Sequence, residues 1–320
     1  MSNVAVIGAG AWGTALAIQA ARAGNSVALW ARDPARAEAI AASRENPRLP
    51  GRRLHDAVQV VQALPDSADV VLLAVPMQHL RAVLTRLALP AAPLVVCIKG
   101  VEAGTLRLPL EVAAEQRPAA PAGVLTGPNF AHEIAAGLPA AAVIAAGDPA
   151  LRDRISTLLA TSSFRLYGND DTVGAQVGGA AKNVVAIAAG AVVGAGLGET
   201  ARAALITRGL AELSRLAVAL GGRAETVMGL SGLGDLLLTC TGPASRNYSL
   251  GLALGRGEAL AEVLASRSAV TEGVATAPAL VARAAGVDLP ICAAVAELLA
   301  GRTTLPEAIA RLLARPRRDE

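Results

Sequence analysis

Apolar positions change rhythm about halfway along the chain. In the first half, short unbroken apolar runs alternate with stretches of helical spacing. Val4–Gly8, Ser26–Ala31, Val70–Val75, Leu94–Lys99, Val124–Gly127, Ala141–Ala146 and Phe164–Tyr167 read as strands. Each is a brief apolar run rich in small, aliphatic or aromatic residues. Ala11–Ala23 carries helical periodicity and stops at Gly24-Asn25. Strands apolar on both faces need cover on both faces, so the pattern predicts a parallel sheet between helices. After about Gly174 the strand runs cease. Ala175–Val193, Ala201–Leu220, Arg246–Leu254, Leu260–Ala265, Thr276–Ala285, Ile291–Leu299 and Pro306–Leu313 read as helices. The fold class is therefore α/β followed by all-α. The domains are expected at 1–177 and 178–320, joined directly through the long helix with no Pro- or Ser-rich linker.

Composition narrows the function classes. A chain of 320 residues suits about two domains. With 53% hydrophobic residues it can bury enough surface to offset the entropy of ordering. A net charge of +3 and 2% aromatics argue against a dedicated nucleic-acid binder, which needs a basic stripe and stacking platforms. No basic segment precedes the run at Val4, so no secretory signal is expected. An uncharged stretch lies between Lys182 and Glu199; it is short and glycine-rich, and predicts a buried helix rather than a membrane span. Cys97, Cys240 and Cys292 are far apart and odd in number, which points to a reducing cytoplasm and no metal site.

All but two of the 29 basic residues are arginine, and the two are Lys99 and Lys182. A coding bias toward arginine leaves lysine where a compact, proton-exchanging donor is needed, or by chance. Lys99 ends a strand run, as does Gly127-Pro128-Asn129, and ligands of open parallel sheets bind at that edge. Lys182-Asn183 lies inside an apolar helix. An ammonium there is paired, functional, or snorkelling to water. Burial would lower its pKa and suit it to proton transfer.

Gly8-Ala9-Gly10-Ala11-Trp12-Gly13 matches GxGxxG. The motif is weak alone, but here it follows a strand and opens a helix, the Rossmann context. Its glycines permit a tight turn, close approach to a pyrophosphate, and packing of helix on strand. The bland alternative is a glycine-rich turn without ligand. About 20 residues on, where the adenosine ribose is read, stand Arg32 and Asp33. Arg32 either accepts a 2′-phosphate, favouring NADP(H) with NAD(H) tolerated, or is a solvated loop charge.

A last cluster, residues 232–247, packs Asp235, Thr239, Ser245, Arg246 and Asn247 into one stretch. Ser245-Arg246-Asn247 at a helix start forms a phosphate clamp, or simply a helix cap followed by a surface arginine.

These pieces together resemble the bacterial-type NAD(P)-dependent glycerol-3-phosphate dehydrogenases. The resemblance rests on GAGAWGTALA (8–17), CIKG (97–100), GPNFAHE (127–133), GGAAKNVVAI (178–187), GLSGLGDLLLTCTGPASRN (229–247) and VTEGVAT (270–276), in family order. It implies an N-terminal Rossmann domain and a C-terminal helical domain of the 6-phosphogluconate dehydrogenase-like kind, often dimeric, serving phospholipid synthesis. It implies Lys182 as proton donor and acceptor. It places Lys99, Gly127, Asn129, Lys182, Asp235, Ser245, Arg246 and Asn247 on the substrate. It places Gly8, Gly10, Ala11, Trp12, Gly13, Arg32, Lys99, Ala131, Arg246, Val270 and Glu272 on the cofactor, with Thr239 and Asn183 in support. Ala11, Asn129 and Gly242 stand where the family commonly has serine.

The implied reaction is reduction of dihydroxyacetone phosphate to sn-glycerol 3-phosphate. Two rivals share the fingerprint: a same-fold reductase for another keto acid such as ketopantoate, and a non-catalytic NADP(H)-sensing module. The Ser-Arg-Asn cluster speaks against the first, and Lys182 with Asp235 and Arg246 against the second.

Overall fold

The computed structural model describes residues 2–267 and 270–316. The chain packs into two compact units, Met1–Lys99 with Arg107–Gln176, and Gly100–Leu106 with Val177–Glu320. The sequence division made no allowance for Gly100–Leu106, which goes with the second unit. Gly100, Val101 and Glu102 are buried, but burial in a loop leaves no periodic trace.

The first unit comprises β1 (Asn3–Ile7), α1 (Ala11–Arg22), β2 (Ser26–Trp30), α2 (Pro34–Ser43), β3 (Val58–Val61), β4 (Val70–Leu73), α3 (Leu80–Arg86), β5 (Leu94–Val96), α4 (Pro109–Gln116), β6 (Ala122–Thr126), α5 (Ala131–Ala136), β7 (Ala140–Ala145), α6 (Pro149–Leu159) and β8 (Phe164–Asn169). The strands form one sheet, ordered β3-β2-β1-β4-β5-β6-β7-β8. Val4, Val6, Leu72, Val95 and Leu125 share a core with Leu16 of α1 and Ile155 of α6. Strand order reverses between β1 and β4, which opens a crevice beyond their carboxyl ends, where the glycine motif lies.

Two features depart from expectation. β6 and β7 pair antiparallel, so the sheet is mixed. A strand covered on both faces is apolar whichever way it runs, so the pattern carried no direction. β3 went unpredicted; its four residues, Val-Gln-Val-Val, are half exposed at the sheet edge.

The second unit takes α7 (Thr172–Gly194) from Val177 onward, then α8 (Gly198–Ala219), α9 (Ala224–Val227), a π turn (Leu230–Gly234), α10 (Asp235–Cys240), α11 (Arg246–Gly255), α12 (Leu260–Ala265), α13 (Glu272–Arg283), α14 (Pro290–Leu299) and α15 (Leu305–Leu313). By length and composition α7 could cross a membrane, but 83% of its most apolar window is buried within the protein, as in a core helix. Its contact with α11 is made backbone to backbone. A Cβ on Gly190 would fall 2.0 Å from the Tyr248 carbonyl oxygen, and one on Gly251 1.9 Å from that of Ile187. Gly194 and Gly255 repeat the arrangement one turn on. At the other end of α7, a Cβ on Gly178 would meet the Ser231 carbonyl oxygen at 2.5 Å.

α8 contributes a buried acid. Glu212 accepts from the backbone N–H of Ile291 (2.6 Å) and of Cys292 (3.1 Å), which are the open donors of the first turn of α14. Burial raises its pKa, and these hydrogen bonds only partly oppose the shift. A carboxyl group raised by folding contributes stability below its ordinary range that is lost as pH rises through the folded value. Urea melts of wild type and Glu212→Gln should therefore show a wild-type advantage that shrinks from about pH 4 upward. A difference independent of pH would contradict the raised carboxyl.

Candidate functional site

In the first unit, the glycine motif has the shape its spacing implied. Gly8 has φ +114°, and a Cβ there would lie 2.7 Å from the Ala74 carbonyl oxygen just past β4. A Cβ on Gly13 would lie 1.9 Å from the Gly8 carbonyl oxygen, so α1 sits directly on the loop. A Cβ on Gly10 would meet no atom of the described residues within 4 Å. Gly10 is also the N-cap of α1 and supplies no side-chain cap. The first N–H groups of a twelve-residue helix thus open onto free space, which fits the pyrophosphate of a dinucleotide. Ala11 brings no hydroxyl; Trp12 is half-buried against the core.

Past β2 the ribose-reading positions divide. Arg32 is exposed. Asp33 turns its carboxylate onto the first turn of α2, accepting from Ala35 N (3.1 Å) and Arg36 N (3.5 Å). Two residues that the sequence reading passed over reach the glycine loop. Arg36 Nη2 and Asn46 Nδ2 both donate to the Ala9 carbonyl, and Asn46 also donates to Thr14 Oγ1 (2.7 Å). Only the Asn46-Pro47 turn signal marked this stretch.

Lys99 lies three residues beyond β5 rather than at its last position. Its Nζ donates to the Gly127 carbonyl at 3.1 Å. Gly127 has φ +134°, a backbone shape that favours glycine. Asn129 Nδ2 points to the Ala141 carbonyl at 3.4 Å, while its Oδ1 is buried without a partner among the described residues. A buried unpaired acceptor is costly and marks a place for a ligand donor. Ala131 opens α5, whose far end is held by Arg22 Nη1 on the Ile134 carbonyl (3.0 Å) and Nη2 on that of Ala135 (2.8 Å).

In the second unit, Lys182 is 7% exposed and is not snorkelling. Its Nζ pairs with Asp235 Oδ1 and donates to Thr239 Oγ1 at 2.7 Å. The carboxylate offsets the cost of burying the ammonium. Thr239 gives its own proton to the Asp235 carbonyl (2.6 Å), so its oxygen is left to accept from the lysine. Asp235 opens α10 directly after the π turn, and Thr239 follows one helical turn later. Cys240 is buried beside this pair. Burial pushes its thiol up to about 12, against a smaller opposite pull from Lys182.

Asn183 follows Lys182 and belongs to a second network. Asn247 Nδ2 donates to Asn183 Oδ1 (2.9 Å), and Asn247 Oδ1 accepts from Gly273 N (3.0 Å). This ties α7, α11 and the start of α13 together. A Cβ on Gly273 would strike Asn247 Oδ1 at 2.7 Å. Ser245 is buried and caps α11, accepting from Tyr248 N at 3.2 Å. Arg246 is the exposed first residue of that helix, and its carbonyl accepts from Arg267 Nη1 at 2.7 Å. Val270 is exposed and Glu272 is the first residue of α13.

Comparisons with known proteins follow these elements from end to end. The family model for the NAD-dependent glycerol-3-phosphate dehydrogenase N-terminus matches residues 3–152, and that for the C-terminus matches 171–310. The chain is 59% identical to a glycerol-3-phosphate dehydrogenase [NAD(P)+] of Acidiphilium cryptum, over 99% of this chain and 98% of that one. The chain belongs to the NAD-dependent glycerol-3-phosphate dehydrogenase family. A second relative, the Gluconobacter oxydans glycerol-3-phosphate dehydrogenase [NAD(P)+], is 54% identical over 98% of this chain and 97% of its own. The crystal structure of glycerol-3-phosphate dehydrogenase from Coxiella burnetii superposes with TM-score 0.93 at 36% identity, covering 98% of this chain and 99% of that one. The chain is thus an NAD(P)-dependent oxidoreductase with a Rossmann unit and a helical unit.

In this family member all three thiols are buried. Burial also raises the Cys97 and Cys292 thiols. Thiolate is the reactive form. A disulfide reagent at neutral pH should titrate essentially no thiol in native protein and three after denaturation. Rapid native labelling of any one of them would contradict the buried placement.

Proposed function

We propose that this protein catalyses the reversible reduction of dihydroxyacetone phosphate to sn-glycerol 3-phosphate with NAD(P)H, supplying glycerophospholipid synthesis. The observation that carries this reading is Lys182, buried and fixed by Asp235 and Thr239 in a chain of this family. When bound, the nicotinamide dinucleotide supplies the hydride. As the substrate carbon is reduced, its carbonyl oxygen gains negative charge, and Lys182 gives that oxygen a proton. Asp235 and Thr239 hold Nζ in one direction, so the proton is delivered along a set path. In the reverse reaction Lys182 takes the proton from the alcohol.

Lys99 is assigned to the substrate and the cofactor by family position. Gly127 and Asn129 hold the substrate loop, where the unpaired Asn129 Oδ1 accepts from a substrate hydroxyl. Arg246 and Ser245, with the first N–H groups of α11, grip the phosphate, and Asn247 holds that helix start against Asn183. Gly8, Gly10, Ala11, Trp12 and Gly13 cradle the dinucleotide. Arg32, Ala131, Val270 and Glu272 are assigned to the same cofactor by family position. A cytoplasmic homodimer is the assembly proposed with this reading, and sedimentation velocity reads it. The ketopantoate and sensor alternatives are disfavoured by whole-chain similarity to glycerol-3-phosphate dehydrogenases.

The test is loss of reduced-nicotinamide absorbance on adding dihydroxyacetone phosphate. Lys182→Ala should lower kcat by about 10³-fold and leave dinucleotide binding intact. Near-normal turnover in that variant would remove Lys182 from the chemistry. Arg246→Ala should raise KM for the phosphorylated substrate by about tenfold or more, the worth of a charge-assisted contact. An unchanged KM would dismiss the clamp.

A further inference from the structure

Resting on the dinucleotide reading above, we infer that Arg36 reads a phosphate on the adenosine ribose, so that this protein selects the 2′-phosphorylated dinucleotide NADP(H). Four observations place that role on Arg36. First, the ribose-reading region past β2 offers no carboxylate for a ribose diol. Residues 30–32 are Trp, Ala and Arg, and Asp33 is spent on the N–H groups of Ala35 and Arg36. A dinucleotide bearing a free 2′-hydroxyl is held by such an acid.

Second, Arg36 is anchored on the dinucleotide loop itself. Nη2 donates both to the Ala9 carbonyl, between Gly8 and Gly10, and to Asn46 Oδ1 (3.3 Å). Third, the anchor occupies only that nitrogen. Nε and Nη1 make no hydrogen bond or ion pair among the described residues. A half-buried guanidinium thus keeps donors for an anion while its position is fixed. Fourth, positive charge accumulates here. Burial lowers the Arg36 pKa, and Arg48, which follows Asn46 closely, presses on its charge in the same direction, with Asp33 opposing. Arg32, exposed and without an ion pair among the described residues, adds a further cation. A dianionic phosphate monoester relieves this repulsion, and a neutral hydroxyl does not.

The anchor on Ala9 raises a competing role, since Arg36 could serve only to brace the glycine loop. Asn46 provides the comparison, because it braces the same carbonyl and is fully buried. Calorimetric titration with 2′,5′-ADP and with ADP separates the two roles and needs no turnover. Wild type should bind 2′,5′-ADP more tightly. Arg36→Gln should weaken 2′,5′-ADP by about tenfold or more and ADP by less than about threefold, with Arg36→Lys recovering part of the loss. Asn46→Ala should weaken both ligands alike. The kcat/KM ratio for NADPH over NADH should fall in Arg36→Gln in the same proportion. Equal losses of both ligands in Arg36→Gln, or no loss, would overturn the inference and leave Arg36 as a loop brace. Failure of wild type to bind either ligand would overturn the dinucleotide reading with it.

Discussion

Backbone-to-backbone approach of α7 to its neighbours is the constraint on which the second unit turns. Side chains normally keep helices 8–10 Å apart. Here glycines at 178, 190, 194, 251 and 255 remove the spacers, and carbonyl oxygens lie where Cβ atoms would be. Overpacking at such contacts forces backbone shifts rather than rotamer changes. The approach therefore fixes α7 against both α11 and the π turn with little slack. Lys182 and Asn183 lie on α7 between these two anchorages. The π turn delivers Asp235 and, one helical turn later, Thr239, while α11 delivers Asn247. The buried ammonium keeps its partners because three backbones cannot slide.

Much of this was legible in the sequence, and the legible part has a common cause. GxGxxG, Lys99, the Gly127 turn and Lys182 are each odd residues in apolar surroundings, and oddness survives in one dimension. The strands on either side of them were visible because a sheet covered on both faces imposes continuous apolar runs. The antiparallel β6–β7 pair was invisible for the same reason, as direction leaves no mark on such a run. The π turn and the short α10 read as a polar cluster because Gly229, Gly232 and Gly234 break the helical rhythm there.

Partnership was the part that sequence could not supply. Asp33 stood at the ribose-reading position and is a helix cap. Asp235 looked like a substrate group, and its carboxylate pairs with Lys182. Ser245 caps whatever else it does. Arg36 and Asn46 stood in an undistinguished polar stretch, and only folding brings them to the Ala9 carbonyl. Such contacts join residues 27 and 37 positions apart. Spacing arguments reach across a helix turn or a hairpin, not across a crossover.

Asn129 shows how a departure from the family pattern can be read physically. A serine hydroxyl there could rotate to suit either a donor or an acceptor. Asparagine separates the two functions onto different atoms. Its amide nitrogen lies toward the Ala141 carbonyl on β7, and a Cβ on Gly127 would be only 3.4 Å from it. That arrangement leaves Oδ1 as a fixed acceptor, buried and unpaired among the described residues. The cost of that desolvated oxygen is carried by the unliganded state and is relieved when a hydroxyl donates to it. A longer, rigid amide thus replaces an adaptable hydroxyl beside the carbonyl that holds Lys99. Its effect should fall on how tightly a hydroxyl-bearing ligand is held.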